Sequence, residues 1–336
     1  MRVALDAASG DLGPEVCVDG ALRASAETGE EVALVGPKAV LEGILSARSL
    51  DGARITVVDA PDVIGMNEHP AKAVRQKPRS SVVVACEMVS RGEADAVVSP
   101  GNTGATMAAS LLKIQRIKGI DRPAIAIPMP TVSGVSLLLD GGANAESRPQ
   151  HLLQFALMGA IYYSSLTGVE NPTVGLLSVG EEPEKGNDLT IEAHKLLLSS
   201  GLNFIGNVEG RDIPFGKANV IVCDGFVGNV VLKFAEGMGR ALFDMIREEI
   251  GRSLILKLGG ALARPAFVNV KRRMDDREYG GAPLLGVNKV TMIAHGSSDS
   301  KAIYNAVKAA IRTKQYGVTE QIQAAVQDYA QRTSGV

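Results

Sequence analysis

The stretch that decides the fold is ANVIVCDGFVGNVVLKFAE, residues 218–236. Residues 219–223 form a short apolar, β-branched run of the kind that makes a buried strand. Asp224-Gly225-Phe226-Val227-Gly228-Asn229 interrupts it, with two glycines free to take backbone angles that a side chain forbids. From Val230 the apolar residues Val230, Val231, Phe234, Met238 and Leu242 recur at helical spacing, which predicts an amphipathic helix. A strand–glycine turn–helix unit puts its turn at the carboxyl end of a strand, where open α/β sheets bind ligands. Backbone N–H groups at the helix start favour an anion, and phosphate is the first expectation. One such loop alone reads equally well as a tight connection with no ligand. Repetition of the unit along the chain favours the ligand.

The repeats run outward from that stretch. Residues 2–5 are a strand leading into DAASGD (6–11), with Pro14 opening a helix. Strands follow at 31–35, closed by Gly36-Pro37 and a helix to about 48, and at 55–58. The polar segment 62–81 carries His69, Lys72, Arg75, Lys77 and Arg79 and reads as a basic loop with a short helix, ordinarily a solvated face. A helix is expected at 81–91. The strand 95–99 enters PGNTG (100–104) and a helix over 103–117, with Thr103 as its cap. Apolar strands at 123–130 and 135–139 end in DGGAN (140–144), and a helix covers 149–164. The strand 173–179 enters GEEPEKGN (180–187) and a helix over 188–199, and 203–207 is a further strand.

After residue 240 the helix continues to about 250. The apolar pieces 254–258, 261–262 and 267–268 are broken by Gly259-Gly260 and Pro265, among Arg252, Lys257, Arg264, Lys271, Arg272 and Arg273. A turn at 279–282, a strand at 290–294, a helix cap in HGSSDS (295–300) and a helix over 319–332 complete the chain. No low-complexity linker divides it, so 1–336 reads as a single domain whose sheet is one unit, with a helical projection near 240–275.

A chain of 336 residues with 46% hydrophobic and 21% charged residues has the composition of a soluble globular protein, and its 37 glycines suit many tight turns. The formal net charge of −2 argues against a general nucleic-acid binder. The opening MRVALDAASGD reads as strand and turn rather than as a signal peptide. No apolar run approaches the ~18 residues that span a bilayer. Cys17, Cys86 and Cys223 lack metal-ligand spacing and suggest reduced, cytosolic thiols. Cys223 lies beside the decisive turn, but a small buried strand residue is the better reading than a nucleophile.

Taken together, DAASGD (6–11), SPGNTGA (99–105), DGGAN (140–144), GEEPEKGNDLT (180–190), IGNVEGRD (205–212), CDGFVGNVVLK (223–233), YGGAPLLG (279–286) and AHGSSDS (294–300) closely resemble the bacterial phosphate acyltransferase family, the acyl-acyl-carrier-protein:phosphate transacylases of phospholipid synthesis. The resemblance spans essentially the whole chain. Ala8 and Ser9 stand where the family has DAMGGD, and Pro100 where it has SAGNTG; these small turn positions concern loop detail rather than the reaction. The resemblance implies a three-layer α/β/α sandwich with a mostly parallel sheet, similar to isocitrate and isopropylmalate dehydrogenases and to phosphotransacetylase. It implies a homodimer carrying paired projecting helices, peripherally attached to the membrane. It also implies that acyl-carrier protein (ACP) donates an acyl group to phosphate, without a cofactor. The acyl phosphate then feeds a membrane glycerol-3-phosphate acyltransferase.

Lys185 and Asn229, each in a glycine-flanked turn after a strand, match positions that the family needs for activity, and are expected to stabilise the transition-state oxyanion. A solvated loop lysine beside Glu181, Glu182 and Glu184, and a helix-cap asparagine, are the plain alternatives. Asn102, Thr103 and Gly104 offer donors to phosphate, as do the turns holding Gly10 and Gly228. Asp6, Asp140 and Asp224 close three strands; acidic strand ends also suggest Mg²⁺, but acyl transfer to phosphate requires no metal. His295, beside Ser297, is either a general acid for the departing thiolate or a structural histidine. Leu254, Ile255, Leu256, Leu258 and Leu262, flanked by basic residues, suggest a membrane-docking tip. No G-x-S-x-G elbow is present, which favours direct attack by phosphate over an acyl-enzyme. The G-x-G-x-x-G fingerprint is absent too. A hydroxy-acid dehydrogenase of similar fold and a non-catalytic docking scaffold remain the alternatives.

Overall fold

The computed structural model describes residues 1–334. Its elements run β1 (Arg2–Asp6), α1 (Pro14–Thr28), β2 (Glu31–Gly36), α2 (Lys38–Ser46), β3 (Arg54–Asp59), α3 (Pro70–Gln76), α4 (Ser81–Ser90), β4 (Ala96–Ser99), α5 (Thr103–Lys113), β5 (Ala124–Ile125), β6 (Ile127–Thr131) and β7 (Gly134–Leu139). They continue α6 (Pro149–Thr167), β8 (Val174–Ser178), α7 (Asp188–Leu198), β9 (Phe204–Glu209), β10 (Val220–Val222), α8 (Gly225–Gly251), α9 (Leu254–Arg273), β11 (Ala282–Leu285), β12 (Val290–Ile293), α10 (Ser300–Gln315) and α11 (Val318–Ser334). The expected α/β fold with mostly parallel strands is present.

The strands form two sheets, not one. Seven order as β3-β2-β1-β4-β12-β11-β5 and five as β6-β7-β10-β8-β9. The break falls inside the predicted strand 123–130. Ile125 and Ala124 pair with β11, whereas Ile127 onward pairs with β7, so one run leaves the first sheet and enters the second at Ala126. The strand β11 (APLL) was not foreseen, because four residues with a proline carry almost no strand signal.

Alternation along buried strands gives each sheet two apolar faces. Val3 and Leu5 of β1 join the cluster beneath α1 and α10, while Ala4 joins the one beneath α4 and α5. In β10, Val220 and Val222 face α6 and α7, and Ile221 faces the opposite side. Continuous apolar strands such as Val32-Ala33-Leu34-Val35 are what a sheet covered on both faces requires. Helix α1 seats on α10 through Gly20, where an added Cβ would lie 2.7 Å from Ile303 Cβ and from the Ser300 carbonyl oxygen.

Three local expectations are corrected. Helix α8 begins at Gly225, not Val230, because Asp224 caps it by accepting the Val227 N–H at 2.9 Å. Asn102 rather than Thr103 caps α5, accepting the Ala105 N–H at 3.0 Å, whereas α10 is capped from within the expected HGSSDS segment, by Asp299. Residues 254–273 are not broken at Gly259-Gly260 or Pro265 but form one helix antiparallel in sequence to α8; Gly260 lets the two approach, since a Cβ there would meet Ile250 at 2.7 Å.

Because Gly20 is the contact point of α1 and α10, Gly20→Val should force them apart and destabilise the chain by about 1–3 kcal/mol, the usual cost of overpacking. Urea unfolding checks this; an unchanged midpoint would show that the contact is slack.

Candidate active site

The carboxyl ends of the two sheets meet at Asp140. Its side chain is wholly buried and accepts five hydrogen bonds: from Ile125 N–H (3.0 Å), Gly142 N–H (3.1 Å), Ala143 N–H (2.9 Å), Asn144 N–H (2.7 Å) and Asn144 Nδ2 (2.8 Å). Ile125 belongs to the first sheet and Asp140 ends β7 in the second. Gly141 N–H donates back to the Ile125 carbonyl at 2.8 Å. Burial raises the Asp140 pKa, against the opposing pull of these donors.

Asp6 does the same at the end of β1. It is fully buried, accepts Ser99 Oγ at 2.7 Å and Ser9 N–H at 3.3 Å, and has its pKa raised by burial. Neither carboxylate faces solvent, so both hold the loops that could touch a substrate. Ser9 and Pro100, two of the three departures from the family pattern, fit this packing: Ser9 Cβ would lie 2.7 Å from a Cβ on Gly101, and Pro100 abuts Gly10, whose φ is +100°.

The glycines of the decisive turn have a different purpose from the one expected. Neither Gly225 nor Gly228 has a positive φ. A Cβ on Gly228 would overlap the Asp140 carbonyl oxygen, and one on Gly225 would lie 2.6 Å from the Asn144 carbonyl oxygen. They are glycines so that α8 can start against the Asp140 loop. Asn229, one helical turn in, is therefore not a cap. It is exposed, its Cβ lies 3.5 Å from where a Cβ on Gly142 would stand, and its amide makes no hydrogen bond among the described residues.

Lys185 sits on the loop after β8. Its ammonium is exposed and has no ion pair among the described residues, despite the three nearby glutamates. The loop itself is pinned. Ser178 Oγ donates to the Lys185 carbonyl (2.8 Å), Lys185 N–H donates to the Glu182 carbonyl (3.0 Å), and Asn207 Nδ2 donates to the same carbonyl (2.8 Å). Buried His194 holds Asn207 through Nδ1 at 2.9 Å, and Lys217 pairs with Glu181 and Asp212. Sequence reasoning missed this clamp: Glu181, Glu182, Asn207 and Asp212 lay within recognised blocks, but Ser178, His194 and Lys217 did not.

On the first sheet, both ends of the Asn102 amide are engaged: Oδ1 caps α5 and Nδ2 donates to the Met66 carbonyl at 2.9 Å. The Thr103 and Gly104 N–H groups, and the exposed Thr103 hydroxyl, make no hydrogen bond among the described residues. His295 and Ser297 are both exposed. Nδ1 of His295 accepts the Ser297 N–H (3.2 Å) and lies 2.8 Å from Ser297 Oγ, which leaves Nε2 free. The structure thus joins Asn229 to the Asp140 loop and, through the Thr106 hydroxyl, which lies within hydrogen-bond distance of the Asn102 carbonyl and of Ser99 Oγ, Asn102 to the Asp6–Ser99 cluster. It shows no contact between Lys185 and Asn229.

All three cysteines are buried free thiols. Burial pushes Cys86 up to about 12 and Cys17 and Cys223 upward as well, which disfavours a nucleophilic role. Cys223 is the small buried residue expected.

Comparison with known proteins decides the family. The model of the family described as "Fatty acid synthesis protein" matches residues 1–321. The phosphate acyltransferase of Desulfitobacterium hafniense (strain DSM 10664 / DCB-2) is 52% identical, over 96% of each chain. That of Elusimicrobium minutum is 51% identical, over 98% of this chain and 97% of its own. The chain belongs to the phosphate acyltransferase family. It is an acyltransferase. A phosphotransacetylase from Streptococcus pyogenes shares the fold at a TM-score of 0.64 and 19% identity, covering 96% of this chain and 94% of that one. A 4-hydroxythreonine-4-phosphate dehydrogenase from Klebsiella pneumoniae does so at 0.55 and 13%, covering 92% and 97%. The dehydrogenase-like architecture expected of phosphate acyltransferases is thus present.

Removing the Asp140 carboxylate leaves four backbone N–H groups unpaired, those of Ile125 and Asn144 buried and those of Gly142 and Ala143 partly buried. Each unsatisfied donor costs about 1–3 kcal/mol, so Asp140→Ala should destabilise the chain by at least about 3 kcal/mol. Chemical denaturation measures this; a loss below about 1 kcal/mol would mean that water replaces the carboxylate.

Proposed function

We propose that the chain transfers the acyl group of acyl-ACP to inorganic phosphate, releasing ACP and supplying acyl phosphate for glycerol-3-phosphate acylation. The observation that carries this reading is the pair of exposed, unpartnered polar groups, the Lys185 ammonium on the loop after β8 and the Asn229 amide near the start of α8, just beyond the carboxyl end of β10. A phosphate oxygen attacks the thioester carbon, the new C–O bond pushes negative charge onto the carbonyl oxygen, and collapse breaks the C–S bond. Phosphate is anionic at neutral pH, so positioning and charge neutralisation matter more than a strong base. Lys185 and Asn229 stabilise the oxyanion. The free N–H groups of Thr103 and Gly104, at the start of α5, suit phosphate. His295 Nε2–H is placed on an exposed loop and suits protonation of the departing thiolate.

Acyl-ACP and phosphate together should release ACP thiol, with no requirement for NAD. Lys185→Ala and Asn229→Ala should each lower turnover on the order of 10²–10³, as removal of an oxyanion donor does. Their stability should stay within about 0.5 kcal/mol of the parent, because both side chains are exposed. Thiol release without phosphate would make the chain a thioesterase; near-normal turnover in both variants would remove these residues from the chemistry.

The projection supports a homodimer that works at the membrane surface. Helix α8 exposes Val230 (54%), Phe234 (66%), Met238 (49%) and Leu242 (49%), an apolar stripe suited to a second copy. At the turn into α9, Leu254 (84%), Ile255 (83%), Leu256 (47%), Leu258 (67%) and Leu262 (78%) are exposed beside basic residues, as on an interfacial segment. No helix among the described residues is long and apolar enough to cross a membrane. Burying one leucine contributes about 1.5–3 kcal/mol, so two or three at the tip suffice for reversible attachment. Changing Leu254 and Leu258 to Glu should abolish sedimentation with anionic liposomes and leave turnover in solution intact. Dissociation of that variant into monomers would identify the tip as a dimer contact instead.

A further inference from the structure

A cavity of about 820 Å³ opens between the connection after α5 and the start of α6. Arg116, Arg122 and Arg148 line it, together with Asp121 and Glu146. Arg116 is spent on the Asp121 carbonyl. The guanidinium groups of Arg122 and Arg148 make no hydrogen bond or ion pair among the described residues. Ser147, also in the lining, has a buried Oγ with no partner. His151, in the first turn of the 19-residue α6, accepts the Arg148 N–H through Nδ1 at 3.1 Å. Burial, with Arg122 and Arg148 adding to it and Asp121 opposing, holds its pKa below the ordinary histidine range.

The cavity shares a wall with the loop on which Asn229 packs. Pro123 lines it, and Asn144 Nδ2 donates to the Pro123 carbonyl at 2.7 Å while also bonding Asp140. We propose that this cavity binds the phosphate ester of the pantetheine arm that carries the acyl thioester. The inference rests on the acyl-transfer reading above. Two unpaired guanidinium forks match the oxygens of a phosphate ester. An orphaned buried hydroxyl is costly unless a ligand completes it, and the start of α6 adds its own preference for an anion. The volume is that of a small-molecule site, far more than a phosphate ion needs. Occupied, the site anchors the arm next to the Asp140 loop.

Isothermal titration of the full chain with pantetheine 4′-phosphate, pantetheine and inorganic phosphate tests this. The phosphorylated arm should bind at least tenfold more tightly than either of the others. Joint substitution Arg122→Glu and Arg148→Glu, at two exposed positions, should weaken that binding at least tenfold with an unchanged circular dichroism spectrum. In turnover the same variant should raise KM for acyl-ACP and leave kcat near the parent value. Unchanged affinity in the variant, no measurable binding of the phosphorylated arm, or equal binding of inorganic phosphate would overturn the proposal. Arginine-dependent binding without any phosphate-dependent thiol release would instead retire the reaction and keep the site.

Discussion

The rest of the structure depends on the buried carboxylate of Asp140. Five donors converge on it, one from the edge strand of the first sheet and four from its own loop in the second. A carboxylate taken out of water is costly unless its lone pairs are filled, so this arrangement tolerates little sliding of one sheet against the other. Helix α8 adds to the constraint, because Gly228 brings its backbone against the Asp140 carbonyl. The loop that Asn229 covers is thus fixed from three directions before any substrate arrives.

This rigidity explains a division of labour among the polar residues. Asp6, Asp140 and the Asn102 amide are satisfied internally, and their chemistry is spent on shape. Lys185 and His295, on loops, and Thr103 and Asn229, near the starts of α5 and α8, are exposed around them. Preorganised donors are worth more to a transition state than mobile ones, since no reorganisation is needed as charge develops. The clamp of Asn207, His194 and Lys217 gives the Lys185 loop the same fixity without touching the ammonium itself.

The projection obeys a different rule. It leaves the second sheet as α8 and returns to the first as β11, with Arg273 donating to the Thr131 and Val132 carbonyls and Arg277 pairing with Asp299 at its base. Beyond that base its apolar side chains have no core to enter, and no residue of α9 is buried. An apolar stripe and an apolar tip left in water in one chain are the features of a surface built to be covered.

How much of this was legible in the sequence follows from the range of each interaction. Strands read as apolar β-branched runs and helices as apolar recurrence because those signals are local; β1, β4, β8, β10 and their glycine turns stand within a residue or two of expectation. The residue blocks carried the family and drew attention to Lys185 and Asn229. The split of the sheets at Ala126, the strand β11 and the early start of α8 were not legible, because each is set by a partner distant in sequence: Pro283 and Leu284 for the first, Ala124, Ile125 and β12 for the second, the Asp140 loop for the third. The same holds for the glycines of the turn, expected for their backbone freedom and required for close approach. Arg122 and Arg148 looked like ordinary solvated arginines, and only folding shows them sharing a cavity. Local chemistry determined most of the elements and the residue blocks that mark the family. Tertiary contact decided which polar groups are consumed in holding the loops and which are left free to act, because satisfaction of a buried charge depends on donors that the chain brings together only when folded.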